Sequence, residues 1–256
     1  MDSLLRNEDL FAAAGRYGYL HPGYAEAFVE AGEVRHLRRS GSFLLTRAIP
    51  GSDRLDAVVG YPRLVSRDVR ALHEDLLETA ALADVVAVSA LTDPLDSLDE
   101  ELLRPSFPDL VRVDARHYVA DLASFWPARG HRRAVREALR IVDVEVEDAP
   151  AALVHRWAEL TDQPLPGADL GLSADALARQ LALPGCVGFS VLADDGPVAL
   201  AVVYVSGEDA AVHAMASSDE GEAVGARYAL VQAIVEDMGG RGLRWLDLGT
   251  VDAEPG

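Results

Sequence analysis

A run of arginines is the densest positive feature of an otherwise acidic chain. A helix is predicted from about residue 128 to 140, and its arginines recur at helical spacing so that they form one stripe along it. The stripe consists of Arg129, Arg132, Arg133, Arg136 and Arg140. Guanidinium groups form paired hydrogen bonds with phosphate and carboxylate oxygens, so this helix could bind the phosphates of a ligand or an acidic substrate. The alternative is a solvated helix face whose arginines pair with nearby acids such as Glu145 and Glu147.

Three residues that can exchange protons lie within apolar segments of the last quarter of the chain. His213 is in the middle of AAVHAMASS, Tyr204 is in PVALAVVYVSG, and Asp247 lies between two leucines in RGLRWLDLG. Imidazole titrates close to neutral pH, so His213 could act as a general base or orient one. Each residue also has a structural interpretation. His213 would be a structural histidine with its hydrogen bonds made inside the protein, Tyr204 a core tyrosine, and Asp247 a carboxylate that accepts hydrogen bonds from backbone N–H groups. Both interpretations stay open.

The elements that must position these residues follow one another between residues 197 and 249. Residues 197–207 and 210–218 are rich in Val and Ala and are separated by a short turn, which predicts an antiparallel hairpin. An acidic loop is predicted at 219–225, and apolar residues at helical spacing predict a helix over 226–238. Gly239 and Gly240 end this helix, and 241–249 is the next predicted strand.

A similar order of elements is predicted in the first half of the chain, which indicates a structural duplication. The predicted elements there are a helix at 22–31, strands at 33–39 and 42–49, a helix at 67–82 and a strand at 84–91. A further strand is predicted at 109–122, near the boundary between the halves. We therefore expect two tightly packed domains, at residues 1–120 and 121–256.

Composition limits the possible partners and location. The formal charge is −19, every fixed cation is one of 23 arginines, and the chain contains no lysine. This acidity argues against loose binding to nucleic acid or to an anionic membrane. No apolar run is long enough to cross a bilayer and the N-terminus is too acidic for a signal peptide, so we expect a cytoplasmic protein. Cys186 is alone and predicted to be a core residue, and the histidines lack metal-ligand spacing, so we expect no metal.

Several motifs in order resemble the Fem-type tandem branch of the GNAT acyltransferase superfamily. They are Gly60-Tyr61-Pro62, RGHRRAVREALRI (129–141), DVEVED (143–148) and ALVQAIVEDMGGRGLRWLDLG (229–249). The resemblance implies an α/β (α+β) fold of tandem GNAT-like domains, each with a mixed, mostly antiparallel sheet flanked by helices. The usual phosphate loop of GNAT proteins is reduced here to residues 223–227.

The resemblance also implies where a donor would bind. The predicted cofactor-binding residues, at the start of the helix, are Val224, Gly225, Ala226 and Arg227. A helix start offers backbone N–H groups and a favourable dipole end to phosphates. Relatives in this branch use aminoacyl-tRNA or acyl-CoA as a co-substrate, and neither is bound permanently.

The same resemblance assigns roles to the other residues. Strand 210–218 would line the donor cleft, with His213 as general base, Tyr204 as proton donor and Asp247 at the cleft. The predicted substrate-binding residues are Tyr61, Arg129, Arg132, Arg133 and Arg136.

Two functions follow from these expectations. The first is an N-acyltransferase that moves an acyl or aminoacyl group onto the amine of a small molecule, with tRNA as a partner if it is the donor. The second is a non-catalytic protein with a degenerate acyltransferase fold that acts in binding or assembly. Neither function requires DNA or a membrane.

Overall fold

Two β-sheets flanked by helices form the architecture. The computed structural model describes residues 18–30, 32–80, 84–96, 98, 100–109, 111, 115–161, 164–168 and 171–251. Within this part of the chain there is one four-stranded sheet and one six-stranded sheet. Each sheet has one parallel pair of neighbours and is otherwise antiparallel. These are the mixed, mostly antiparallel sheets that were predicted.

The first sheet has the strand order β1-β2-β3-β4. Its strands are β1 (Glu33–His36), β2 (Phe43–Ala48), β3 (Leu55–Val59) and β4 (Val85–Ser89). Helix α1 (Pro22–Glu26) precedes β1, and helix α2 (Leu72–Ala80) connects β3 to β4. A crossover of this length lets β3 and β4 run parallel. The helix buries Leu72 and Leu76 against this sheet, and a short helix α3 (Glu100–Leu103) adds Leu103.

The second sheet has the strand order β5-β10-β9-β8-β7-β6. Its strands are β5 (Arg116–Asp121), β6 (Asp143–Asp148), β7 (Cys186–Ala193), β8 (Gly196–Ser206), β9 (Asp209–Ser217) and β10 (Trp245–Val251). Strands β8 and β9 form the predicted antiparallel hairpin. Strand β10 lies parallel to β9 on one side and antiparallel to β5 on the other.

Alternating residues of β8 send side chains to the two faces of the second sheet. Leu200, Val202 and Tyr204 point to one face, which we call the inner face, where α5 (Leu153–Leu160) and α6 (Ala174–Leu181) pack. Residues of opposite parity, such as Val203, point to the outer face. There α8 (Ala226–Gly240) lies beside α4 (Arg129–Ala138). The predicted helix over 226–238 is confirmed.

The inner face is covered in part by the first half of the chain. Tyr24, Phe28 and Phe43 belong to the same buried cluster as Trp157 and Tyr204. Gln180 of α6 also donates a hydrogen bond to the Tyr24 carbonyl at 3.0 Å, inside this contact. The two halves therefore share one apolar core.

The structure corrects the loop predicted at 219–225 and shortens the strand predicted at 109–122. Residues 219–225 are not a loop: they form helix α7 (Asp219–Val224), which ends at Gly225 in the left-handed conformation, with φ 72°. Ser218 caps this helix by accepting the Gly221 N–H at 3.1 Å, and the acids that suggested a loop suit the positive dipole end of a first turn. The strand predicted at 109–122 is observed as 116–121, and residues 110 and 112–114 lie outside the described residues.

The length and composition of a helix decide whether it can cross a bilayer. Of the helices in the described ranges, none combines the length and the apolar composition that crossing a bilayer requires.

Candidate active site

A gap opens between β9 and β10. These parallel strands pair only where Trp245–Asp247 lie beside Asp209–Ala211. Beyond Asp247, β10 bulges and pairs with β5, while β9 continues to pair with β8. The two strands therefore diverge beyond Asp247. The facing backbone edges of the diverging strands can hydrogen-bond to an extended ligand.

Asp247 lies where the strands diverge, and its side chain is fully buried on the inner face. Its carboxylate accepts hydrogen bonds from the Arg63 Nη2 group at 2.8 Å, from His117 Nδ1 at 2.9 Å and from the Gly249 N–H at 2.9 Å. The carboxylate holds the His117 proton on Nδ1. With its oxygens engaged in this way, Asp247 is built to anchor its neighbours rather than to take a proton from a substrate.

Arg63 reaches Asp247 from the first half of the chain. It follows the Gly60-Tyr61-Pro62 motif, is only 8% exposed, and also donates through Nη1 to Asp93 Oδ2 at 3.2 Å. Burial disfavours the cation, but Tyr19, Asp93 and Asp247 outweigh burial and raise the pKa of Arg63. The first half therefore supplies a fixed positive charge to the site in the second half.

His213 lies on the same face and is partly buried. Its Nδ1 atom is 3.2 Å from the Tyr19 hydroxyl, and its ring packs edge-on against Tyr204 at 5.2 Å between centroids. Burial, assisted by the positive charge of Arg63, lowers the pKa of His213 to about 4. The expectation that His213 has a pKa close to neutral was therefore wrong, and the imidazole is neutral at pH 7.

The proton on His213 can be placed from its neighbour. Burial raises the pKa of the Tyr19 phenol well above its usual range, so the hydroxyl keeps its proton and can donate it to Nδ1. The proton of the imidazole then resides on Nε2. In this state His213 carries a hydrogen-bond donor on Nε2 and is a weak base.

Tyr204 is 1% exposed and packs against Tyr19 and Tyr24. Burial raises the pKa of its phenol well above the usual value, so the hydroxyl stays protonated. Tyr204 is therefore a core residue, and it has no open path to a substrate. Tyr61, the other predicted aromatic site residue, packs edge-on against Phe28 at 5.5 Å.

The turn predicted to hold phosphates carries negative charge. Helix α7, directly before it, has Asp219, Glu220 and Glu222 in its first turn. Arg227, the predicted phosphate ligand, pairs with Glu222 at 2.5 Å. Of the other predicted residues there, Ala226 is fully buried, Val224 is partly buried and Gly225 forms the left-handed turn. A pyrophosphate at this turn would meet acids before it met a free cation.

The arginines of α4 do not pair with the β6 acids. Arg133 forms an exposed pair with Glu137 at 2.7 Å, and Arg136 donates to the Arg132 carbonyl at 3.2 Å. Arg132 is held more firmly, because it stacks on Trp126 and donates to the Pro127 carbonyl at 2.9 Å. The face of α4 that carries them is largely exposed, Arg129 included.

Helix α4 also lies close to the turn at Gly225. The His131 and Tyr228 rings are 5.4 Å apart, and a Cβ at Gly225 would lie 3.8 Å from that of Ala138. The structure thus brings helix α4 and the turn together on the outer face. His213 and Asp247 lie on the inner face, so the six-stranded sheet lies between the two groups.

Four site residues were missed in the sequence: Tyr19, Arg63, Asp93 and His117. Arg63 had a signal, since it directly follows the Gly60-Tyr61-Pro62 motif. His117 lies in a predicted strand, but only the bulge between β5 and β10 brings it to Asp247. Tyr19 lies in residues 17–31, which resemble the N-terminal helix of the Fem-type branch, but nothing in that resemblance assigns it a role, and Asp93 lies in an acidic segment predicted as a loop.

The fold is that of tandem GNAT-like proteins. No protein-family model matches the chain, and no curated protein matches its sequence. Among solved structures, FemX is similar over 98% of this chain and 88% of its own, with a TM-score of 0.65 and 14% identity. L-PGS from Bacillus licheniformis is similar over 93% of this chain and 79% of its own, with a TM-score of 0.58 and 14% identity. A third similar structure is a C-terminal domain from Agrobacterium fabrum, described as that of a lysylphosphatidylglycerol synthetase. The similarity covers 88% of this chain and 73% of that domain, with a TM-score of 0.59 and 16% identity.

Proposed function

We propose that this protein is an N-acyltransferase of the Fem type, which transfers an acyl or aminoacyl group from an activated donor to the amine of a small molecule. The observation that carries the proposal is the gap between β9 and β10, with His213 and Asp247 on one side of it. An activated acyl chain in this gap would hydrogen-bond to the strand edges and present its carbonyl to the inner face.

The residues on the inner face divide the chemistry among them. His213 Nε2–H is suited to donate a hydrogen bond to the carbonyl oxygen as it gains negative charge. Asp247 and Arg63 hold the strands and His117 in place, and we assign them positioning roles. Because the pKa of His213 is about 4, the acceptor amine would reach the site already neutral or lose its proton to water.

Aminoacyl-tRNA suits the outer face better than acyl-CoA does. The acids of α7 disfavour a pyrophosphate at Gly225, whereas the neighbouring α4 presents a face of arginines to solvent. Such a face can bind several backbone phosphates of a nucleic acid without reading sequence. The FemX and L-PGS similarities cover most of the chain and support the fold on which this proposal rests.

A transfer assay tests the proposal. The full chain is incubated with labelled aminoacyl-tRNA, or separately with acyl-CoA, and a panel of small amines, and the products are identified by mass. We expect an amide product from one donor class and a loss of about a hundredfold or more in rate for His213→Gln. Arg38→Gln, an exposed change in the first half, is the control. Hydrolysis without amide formation, or no product with either donor, would contradict the proposal.

The second candidate is a binding protein without turnover. It is favoured by one observation, that the Asp247 carboxylate is fully engaged while His213 is a weak base. Such a protein would bind a donor in the gap and shift its melting temperature without forming product. The transfer assay separates the two candidates, since both predict binding but only the first predicts an amide.

A further inference from the structure

A cavity of about 360 Å³ lies at the other end of the six-stranded sheet, between β6, β7 and α5. Its lining consists of Glu145, Val146, Glu147, Leu153, Arg156, Gly188 and Ser190. Strands β7 and β8 lie between β6 and the β9–β10 gap, so this cavity is separate from the candidate active site. No role assigned so far uses its polar residues.

One wall of the cavity can bind an anion. Arg156 of α5 donates through Nη1 to the Ser190 hydroxyl at 3.2 Å, and Ser190 is only 3% exposed. The guanidinium is also 3.9 Å from Glu145, which is a loose pair. Since a guanidinium has five N–H donors in a planar fork, Arg156 keeps donors for a carboxylate, and the Ser190 hydroxyl can add one.

The β6 side of the cavity can bind cations. Glu145 and Glu147 are alternate residues of β6, so their side chains lie on one face, about 7 Å apart along the strand. They stand opposite Ser190 and Gly188 in the register of the two strands, above the cavity floor. Two carboxylates against one guanidinium give the cavity a formal charge of −1, which favours a ligand with one excess positive charge.

The floor of the cavity is held by close packing. A Cβ at Gly188 would come within 2.5 Å of both Leu153 Cδ1 and Pro150 Cβ, so α5 lies directly against the β7 backbone. This packing keeps Arg156 near Ser190.

We propose that this cavity binds a free amino acid with a cationic side chain. The α-carboxylate binds Arg156 and the Ser190 hydroxyl, and the two ammonium groups bind Glu145 and Glu147. One anionic and two cationic groups on the ligand match the one guanidinium and the two carboxylates of the lining. The cavity volume of about 360 Å³ admits one such molecule. This inference does not depend on acyl transfer.

L-Ornithine is the probe, and two analogues each remove one of its charged groups. L-Norvaline lacks the terminal ammonium and putrescine lacks the carboxylate. We expect L-ornithine to shift the backbone amide resonances of Gly188, Ser190 and β6 in the ¹⁵N-labelled full chain, with affinity at least tenfold above either analogue. Equal affinity for putrescine would reduce the site to general attraction of cations and overturn the proposal, as would no shift with millimolar L-ornithine.

Two substitutions assign the walls. Arg156→Gln and Glu147→Gln should each weaken L-ornithine binding at least tenfold, whereas Arg38→Gln should leave it unchanged. Glu147 is exposed, so its substitution tests the site even if loss of Arg156 disturbs packing. Binding that survives both substitutions would place the ligand elsewhere and overturn the proposal.

Discussion

At the scale of single residues, burial changes what each titratable group can do. His213 is neutral because its environment excludes water and faces Arg63. Asp247 stays functional only as an anchor, because Arg63, His117 and the Gly249 N–H occupy its oxygens. The chemistry expected from residue type alone is therefore altered by the partners that the fold supplies.

The first prediction concerns the stability contributed by neutral His213. Its pKa falls from 6.5 to about 4 on folding, so between these pH values the unfolded chain binds a proton that the folded chain does not. Stability should therefore drop by up to about 3 kcal/mol as pH falls from 6.5 to 4. Asp96, whose burial raises its pKa to about 6, acts in the opposite direction, so the comparison with His213→Gln isolates the histidine. Urea unfolding at several pH values measures it, and identical pH slopes would contradict the assignment.

The second prediction concerns the buried pair of Arg63 and Asp247. Arg63→Met or Asp247→Leu alone should cost up to about 3–5 kcal/mol, because each removes a charged partner from a group that stays buried: Asp247 keeps His117 and the Gly249 N–H, and Arg63 keeps Asp93. The double substitution should cost clearly less than the sum of the two. The exposed pair of Arg133 and Glu137 is the control, for which each change should cost far less. Additive costs at Arg63 and Asp247 in urea unfolding would show that the pair is not coupled.

At the scale of elements, the main strands and the long helix were predicted from the sequence. The β8–β9 hairpin follows from two Val- and Ala-rich runs joined by a short turn, helix α8 follows from helical spacing, and both are present. Helix α7 was missed because its Asp, Glu and Gly content is typical of loops, although Ser218 and the acidic first turn are start signals for a helix. The network around Asp247 could not be predicted, because it depends on a strand bulge and on side chains far apart in sequence.

The third prediction concerns helix α4 as a nucleic-acid surface. Replacing Arg129, Arg133 and Arg136 together with Gln should weaken tRNA binding and reduce the slope of log affinity against log salt, by up to about 0.9 for each phosphate that the variant no longer neutralises. The control variant replaces three exposed arginines of the first half with Gln, which gives the same change in net charge. They are Arg38, Arg67 and Arg70. Filter binding at several salt concentrations measures both variants. Equal effects of the two variants would mean that α4 has no special role.

At the scale of the whole molecule, the two halves share a buried apolar cluster. Tyr24 and Phe28 of the first half pack with Trp157 and Tyr204 of the second, and Arg63 crosses to Asp247. The duplication predicted from element order is seen in the two sheets, but the packing between them follows from no motif. The domain boundary near residue 120 stays a prediction, and β5 (Arg116–Asp121) pairs within the second sheet.

The fourth prediction follows from this shared core. Thermal unfolding of the full chain should give one cooperative transition, with equal calorimetric and van't Hoff enthalpies, because separating the halves would expose the buried cluster that they share. Differential scanning calorimetry measures it. Arg63→Met should lower the midpoint of that single transition, and two resolved transitions would contradict the shared core.

The central claim is that an activated donor enters the gap between β9 and β10 and presents its carbonyl to His213. A crystal structure of the full chain with a non-hydrolysable aminoacyl-RNA fragment, and a second with an acyl-CoA analogue, test it most directly. We expect one of them to lie between the diverging strands, hydrogen-bonded to their backbone edges, with its carbonyl oxygen about 3 Å from His213 Nε2. A donor bound elsewhere on the protein, with the gap empty, would contradict the claim.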